Sequence, residues 1–387
     1  MRGSIIRRGK SYSVVVDLGR DPETGKRRQK WHSGYRTKRE AEVALADLVG
    51  SVNRGTYVAP SKQSFAEFAA DWLEAIKPTL RDSTHYSYTR NLRLHVIPHL
   101  GALNMTAVDA GVLNGLYARL LATGNKTNRP GAAPGLSPRT VRYIHTIVHR
   151  MFKDAVRWGR LVRNPADAAD PPRAAAAGSP EIVTWSAEQL GAFLDGMREH
   201  RLYAVFLLLA TTGMRRGEAL GLRWSDLDLA NGRLAVRQTV IAVHHKVEFG
   251  TPKTAKGRRT VMLDVATMAA LREHRKRQAA ERLNIGAGWT DLDLVFAAPD
   301  GAPLHPERFS RTFTEHVARL GLPAVPLHAL RHGWATLALA AGVHPKVVQE
   351  RLGHATISIT LDIYSHVTTG LHSDAAEQVA GLVFGGR

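Results

Sequence analysis

The chain has 387 residues, enough for two or three domains with ample core. Its 53 Lys and Arg against 34 Asp and Glu give a net charge of +19, which points to a polyanionic partner, either nucleic acid or an acidic membrane surface. With zero cysteines it has no disulfide, thiolate metal site or cysteine nucleophile. No apolar run is long enough to cross a bilayer, and Met1-Arg2-Gly3-Ser4 leads into charge rather than a signal-peptide core, so a cytoplasmic nucleic-acid partner is expected.

The first unit, residues 1–58, is basic. Ser11–Asp17 and Arg27–Ser33 read as strands around the turn-rich Asp21–Gly25, and Ile5–Arg8 adds a third strand turned at Gly9. Thr37-Lys-Arg-Glu40 has the pattern of a capping box before an Ala/Leu-rich helix to about Val52. A small sheet backed by one helix, carrying Arg7, Arg8, Lys10, Arg27, Arg28 and Lys30, could enter a DNA groove. Trp31 is expected in its core. Gly55–Ser61 reads as a linker.

A helical unit follows at 62–172. Ser64-Phe-Ala-Glu67 is a capping box opening an amphipathic helix with Phe65, Phe68, Trp72 and Leu73. Further helical patterns cover Ser83–Val96, Val108–Ala122 and Ser137–Trp158, with a Gly/Asn/Pro-rich loop at Thr123–Leu136. The last helix starts at Ser137-Pro138, a cap and first-turn pair, and sets Arg139, Arg142, His145, His149, Arg150 and Lys153 beside apolar positions. Asp170–Pro180, with its prolines and alanines, reads as an interdomain linker.

The last unit, 181–387, opens with the capping box Ser186-Ala-Glu-Gln189. Arg201–Thr211 reads as a buried helix, followed by Thr211-Thr212-Gly213-Met214-Arg215-Arg216-Gly217-Glu218. Strand-like runs cover Arg233–Val243, Val247–Thr251 and Arg259–Leu263, and the last two enclose Pro252–Arg258 as a hairpin tip bearing Lys253 and Lys256. Helical patterns cover Asp264–Ala280, Pro306–Leu320 and Ala329–Ala341. Gly342 offers a left-handed stop, Pro345 suits the next first turn, and Gly353 ends a second helix, leaving His354 at a turn. Ser358 can cap a short helix carrying Tyr364.

His328 and Arg331 stand three apart, on one helical face. A neutral phenol with a pKa of about 10 is a poor nucleophile, and nearby cations make its ionised form easier to reach. Two arginines can hold both non-bridging oxygens of a phosphodiester as it becomes pentavalent, and a histidine can donate to oxygen or move a proton near neutral pH. His328 and His332 also have a zinc-compatible spacing, but Arg331 lies between them and no His-Glu-x-x-His pattern is present, so no metal is expected.

Thr-Gly-x-Arg-x-x-Glu, His-x-Leu-Arg-His, Leu-Gly-His and Tyr, in this order, resemble the signature of tyrosine site-specific recombinases of the phage integrase family. Each block alone is weak, and together they are highly specific over about Glu181–Val367. The resemblance implies a multidomain α+β fold. Its parts would be an arm-type DNA-binding domain of sheet plus helix, a helical core-binding domain of SAM-like type, and a mainly α catalytic domain with a β-hairpin sheet. It also implies that Tyr364 attacks a phosphodiester to give a 3′-phosphotyrosine and a free 5′-hydroxyl. Arg215 and Arg331 would neutralise the phosphorane, with His328 and His354 as hydrogen-bonding and proton-handling partners. Lys253 would protonate the leaving oxygen, with Lys256 as its competitor, and Glu218 would orient an Arg. No nucleotide cofactor or metal is required, because the bond energy is conserved. Four protomers on two duplexes would exchange strands through a Holliday junction, with an excisionase and a host DNA-bending protein as further partners of an integrase that also excises a mobile element. A type IB topoisomerase shares the chemistry, but the arm-like unit and the Leu-Gly-His block argue against it. The complete catalytic set argues against an idle DNA-binding regulator. The amphipathic tail His372–Phe384 is left to dock either on its own domain or on a neighbouring protomer.

Overall fold

In a computed structural model the described residues are 3–20, 24–54, 62–127, 131–173, 183–243, 246–251, 257–354, 356–357, 380 and 383–384. The chain divides into two compact units, Met1–Ser179 and Pro180–Arg387.

In the first unit β1 (Gly3–Arg8), β2 (Ser11–Arg20) and β3 (Arg27–Tyr35) form an antiparallel sheet in that order. Helix α1 (Lys38–Asn53) covers one face, packing Ala41, Ala44, Leu45 and Leu48 on Val14 and Val16. Thr37 caps it by accepting from the Glu40 N–H, while the Glu40 carboxylate reaches past the cap to the Arg36 N–H. Side chains alternate across a sheet, so Val15 and its partner Trp31 take the other face. Trp31 is therefore not core: it is 42% exposed, with the Arg8 guanidinium 4.6 Å from its ring centroid. One helix can bury only one face of a sheet, and Trp31 falls on the uncovered one.

The same unit contains α2 (Phe65–Ile76), α3 (Asp82–Asn91), α4 (Ile97–Leu100), α5 (Ala110–Thr123) and α6 (Pro138–Arg157). Ser64 and Glu67 complete the reciprocal cap of α2. A π turn at Leu92–Val96 links α3 to α4, carrying the helix past Pro98 and beyond the expected end at Val96. The core is built from Phe65, Phe68 and Trp72 of α2 against Ile144, Val148 and Phe152 of α6. The buried Trp72 indole N–H donates to Asp154 at 2.8 Å.

The second unit begins with α7 (Ala187–Gly196), capped reciprocally by Ser186 and Gln189, then the largely apolar α8 (Tyr203–Thr212) and the short α9 (Arg216–Leu220). Then come β4 (Leu227–Asp228), β5 (Arg233–Val236), β6 (Thr239–Val243), β7 (Lys246–Gly250) and β8 (Arg259–Met262). Helices α10 (Val265–Ile285), α11 (Pro306–Arg319), α12 (Ala329–Ala340) and α13 (Pro345–Leu352) complete the described part. The core gathers Phe193, Phe206, Phe309 and Phe313 with Trp185.

The strand pairing differs from the expectation. The run Arg233–Val243 breaks in two at 237–238, where Gln238 donates to the Gly221 carbonyl. Beyond the break, β6 lies against α9 closely enough that a Cβ on Gly217 would meet Thr239 and Val240 at 2.5 Å. β6 then pairs with β7, and β8 pairs with β5. The strands on either side of Lys253 and Lys256 thus belong to two different sheets, not to one hairpin. Lys253 and Lys256 themselves lie outside the described residues.

Candidate active site

Two left-handed glycine turns form the floor of the site. Gly213 ends α8 at φ +65° and Gly353 ends α13 at φ +67°. Other residue types adopt this conformation at a cost, so the glycine of each motif block terminates a helix. The turns also touch: a Cβ on Gly213 would lie 2.6 Å from the Leu352 side chain and 3.0 Å from the Trp334 ring. The Thr-Gly and Leu-Gly blocks are therefore the two halves of one contact.

Both arginines fasten these turns. Arg331, on α12, is 3% exposed, and its guanidinium donates to the Gly213 and Leu352 carbonyls, each at 2.8 Å. Arg215, at the start of α9, donates to the Gly353 carbonyl at 3.2 Å and to Glu218 at 2.8 Å. The Arg215 side chain remains 42% exposed, so its guanidinium is held in orientation and still reachable. His354 follows Gly353 directly and is braced by Gln349, whose side-chain amide donates to the His354 carbonyl at 3.0 Å. His328, at the start of α12, meets His332 edge to face with ring centroids 4.8 Å apart.

Burial, with the neighbouring cations adding to it, sets the protonation states. Desolvation pushes the His354 imidazole down to about 4, and the charges of Arg331, Arg215, His332 and Arg259 add to it. The His328 ring is lowered first by desolvation and then by His332, Arg331, Arg215 and Arg216. His328 keeps an exposed surface, and with its pKa lowered the ring is neutral at pH 7. Neutral imidazoles can accept a proton as well as donate one, and an incoming phosphate would raise both pKa values.

Glu218 is 3% exposed. Desolvation pushes its pKa up, but the hydrogen bonds and charge of Arg259, with those of Arg215, more than offset this and hold it below the usual carboxylate range. Its Oε1 accepts from both Arg215 and Arg259, and its Oε2 accepts from the Arg215 backbone N–H and from Arg259.

Against this geometry, residues 185–370 match the phage integrase family, residues 4–52 an arm DNA-binding domain, and residues 64–114 the SAM-like N-terminal domain of phage integrases. The chain belongs to the phage integrase family of tyrosine recombinases. It is 29% identical over 398 residues to a XerC-like tyrosine recombinase of Caldanaerobacter subterraneus subsp. tengcongensis, covering 97% of this chain and 98% of that one. It is 22% identical over 374 residues to the ICEBs1 integrase of Bacillus subtilis, covering 96% and 97%. Its fold is similar to the Tn1549 transposon integrase in complex with transposon right end DNA, with a TM-score of 0.65 and 21% identity over 81% of this chain and 99% of that one. It is similar also to a lambda integrase tetramer bound to a Holliday junction, with a TM-score of 0.56 and 16% identity over 92% and 93%.

Of the six residues expected in the recombinase site, the structure brings Arg215, His328, Arg331 and His354 together, while Lys253 and Tyr364 lie outside the described residues. So do Ser358 and most of the amphipathic tail, of which Val383 and Phe384 are described and exposed. Arg216, by contrast, donates inward to the Pro306 carbonyl and the Ser310 hydroxyl. Arg259 is the residue that sequence reasoning missed.

The candidate DNA-contacting cations are divided by the strand alternation. Arg8 and Arg27 share the uncovered face with Trp31, and Arg27 is paired with Asp17 at 2.6 Å. Arg7, Arg28 and Lys30 alternate to the side of α1, and Lys10 lies at the turn between β1 and β2. On α6 Arg139 is exposed, and Arg142 donates to the Pro172 carbonyl. Among the described residues no acidic or histidine cluster could hold a metal ion, and no helix is long and apolar enough to cross a membrane.

Proposed function

We propose that this recombinase cuts and rejoins double-stranded DNA at specific sites through a 3′-phosphotyrosine on Tyr364. The phenolate oxygen attacks phosphorus, the phosphorus–5′-oxygen bond breaks, and the 5′-oxygen leaves with a proton, for which Lys253 is the proposed source and Lys256 the competitor. Attack by the 5′-hydroxyl of a partner strand reverses the step and releases the tyrosine. Arg215 and Arg331 stabilise the charge that develops on the non-bridging oxygens, and His354 and His328 hydrogen-bond to them and handle the phenol proton. The observation that carries this reading is the convergence of the two arginines on the glycine turns, Arg331 bonded to both and Arg215 to the Gly353 turn, with His354 directly on that turn. Two guanidiniums fixed by backbone carbonyls are preorganised for a phosphodiester at no cost when it arrives.

The further organisation is proposed on the same footing. Residues 1–58 form an arm-site binder that reads DNA with the sheet face of Arg8, Arg27 and Trp31. Residues 62–172 bind the core site and residues 181–387 carry the chemistry. The working assembly is a homotetramer on two duplexes in the cytoplasm, assisted by an excisionase and a host DNA-bending protein. The element integrated and excised is mobile DNA.

The test uses end-labelled nicked duplexes enriched by the protein from a random-sequence pool. The wild-type protein is expected to form a protein–DNA adduct that survives denaturation. Tyr364→Phe removes one oxygen and leaves the cations, so it should bind the same DNA without forming an adduct. A normal adduct yield from Tyr364→Phe would assign the attack to another residue.

A further inference from the structure

We infer that Arg259 is a positioning residue for strand cleavage: by gripping both carboxylate oxygens of Glu218 it fixes the group that orients Arg215. The inference rests on the proposed role of Arg215 at the phosphate.

The geometry is specific. Arg259 Nη2 donates to Glu218 Oε2 at 2.9 Å and Nη1 to Oε1 at 3.2 Å, a two-pronged grip. Its Nε donates to the Arg351 carbonyl at 2.6 Å, and Nη1 also reaches the Gly257 carbonyl at 3.2 Å. The side chain is 7% exposed, so these contacts are made away from water. Arg351 immediately precedes Leu352 and Gly353, whose carbonyls are held by Arg331 and Arg215. One guanidinium on β8 thus ties the end of α13 to the carboxylate on α9.

Chemistry explains why Arg215 depends on it. Glu218 clamps Arg215 twice, at the backbone N–H and at Nη1. The carboxylate is 3% exposed, and Arg215 reaches each of its oxygens only once, through Nη1 and the backbone N–H, because its Nη2 is committed to the Gly353 carbonyl. Arg259 supplies the second pair of donors. A lysine would supply the charge, but a point cation with no planar fork cannot match two oxygens and a backbone carbonyl at once.

The experiment measures single-turnover adduct formation at saturating DNA, with affinity and thermal melting in parallel. It compares wild type, Arg259→Ala, Arg259→Lys, Glu218→Gln and the double variant Arg259→Ala/Glu218→Gln. Arg259→Ala should bind DNA within about threefold of wild type and cleave roughly a hundredfold more slowly, the scale of loss for a displaced catalytic group. Arg259→Lys should fall between them. Because Arg259 acts through Glu218, the double variant should cleave no more slowly than the slower single variant. A merely structural role would lower melting and affinity together with cleavage, and would not distinguish lysine from alanine in cleavage at equal melting. Wild-type cleavage by Arg259→Ala, or losses that multiply in the double variant, overturns the inference. If Arg259→Ala does not fold, Arg259→Lys decides: wild-type cleavage by that variant overturns the need for a two-pronged grip. A wild-type protein that binds DNA but forms no adduct instead sinks the proposed reaction itself.

Discussion

Arg215 and Arg331 are alike in donating to carbonyls of the glycine turns and unlike in burial, and this separates what their removal should do. Arg331→Ala leaves the Gly213 and Leu352 carbonyls without their donor, and each buried unsatisfied group costs about 1–3 kcal/mol. Arg215→Ala opens a partly exposed position while Arg259 still pairs with Glu218. Both changes should slow adduct formation by two to three orders of magnitude, since a preorganised donor is worth roughly 3–4 kcal/mol to a developing charge. Only Arg331→Ala should also lower the urea midpoint clearly. Equal midpoints for the two variants would contradict the buried, carbonyl-bound placement of Arg331. At this scale the motif blocks made Arg215, His328, Arg331 and His354 legible, because each lies beside a glycine turn or helix start that the sequence also displays. Arg259 was not legible: one Arg among 53 Lys and Arg at a strand start gives no sign of Glu218, which only folding brings to it.

The elements that build the site carry a pH dependence of their own. On α10, His274 is 2% exposed, with Nε2 2.7 Å from the Val295 carbonyl and Nδ1 3.0 Å from an Arg277 nitrogen. The ring is therefore neutral, donating from Nε2 and accepting at Nδ1, and desolvation holds its pKa down to about 4. The unfolded chain takes up that proton near pH 6.5 and the folded one does not. Stability from this group is thus complete above about pH 6.5 and is lost as pH falls toward 4, by up to about 3 kcal/mol. His354 acts in the same direction. Melting temperature should fall between pH 7 and pH 5, and His274→Gln should flatten that fall; an unchanged slope would mean that His274 does not hold its proton affinity down. Gly213→Ala tests the paired turns. A left-handed alanine costs about 1–2 kcal/mol, and its Cβ would press on Leu352, so this one methyl should destabilise the unit and slow cleavage together. An alanine variant as stable as wild type would show that the turns need not touch. Caps and glycine stops were readable because they are local; Ser64, Ser137 and Ser186 all cap the helices expected of them. The partners of β5 and β8 were not, because the break at 237–238 is made by a contact to Gly221 and not by a local turn signal.

At the scale of the whole molecule, the described part of the proposed catalytic machinery lies within Pro180–Arg387, while the small sheet of residues 3–35 has its own core in Met1–Ser179. The sheet and α1 bury Val14, Val16 and Ala41 among themselves, so removing residues 1–58 takes away a self-contained core and leaves the packing of α2 and α6 intact. The same deletion removes the exposed face of Arg8, Arg27 and Trp31 along with part of the net charge of +19. DNA binding driven by phosphate neutralisation weakens with salt in proportion to the phosphates contacted, with a slope in log–log form of about −0.9 per contact. The truncated recombinase should therefore bind duplexes that carry arm and core sites together with a shallower salt dependence, lose protection of distal arm sites in a footprint, and still form the tyrosine adduct on nicked core DNA. Trp31→Ala in the full-length chain should weaken the distal footprint without changing the core one, because its ring holds the Arg8 guanidinium on that face. A truncated protein that keeps every footprint and the full salt slope would show that the uncovered sheet face does not meet DNA, and would leave the stacked Arg8 and Trp31 as packing alone.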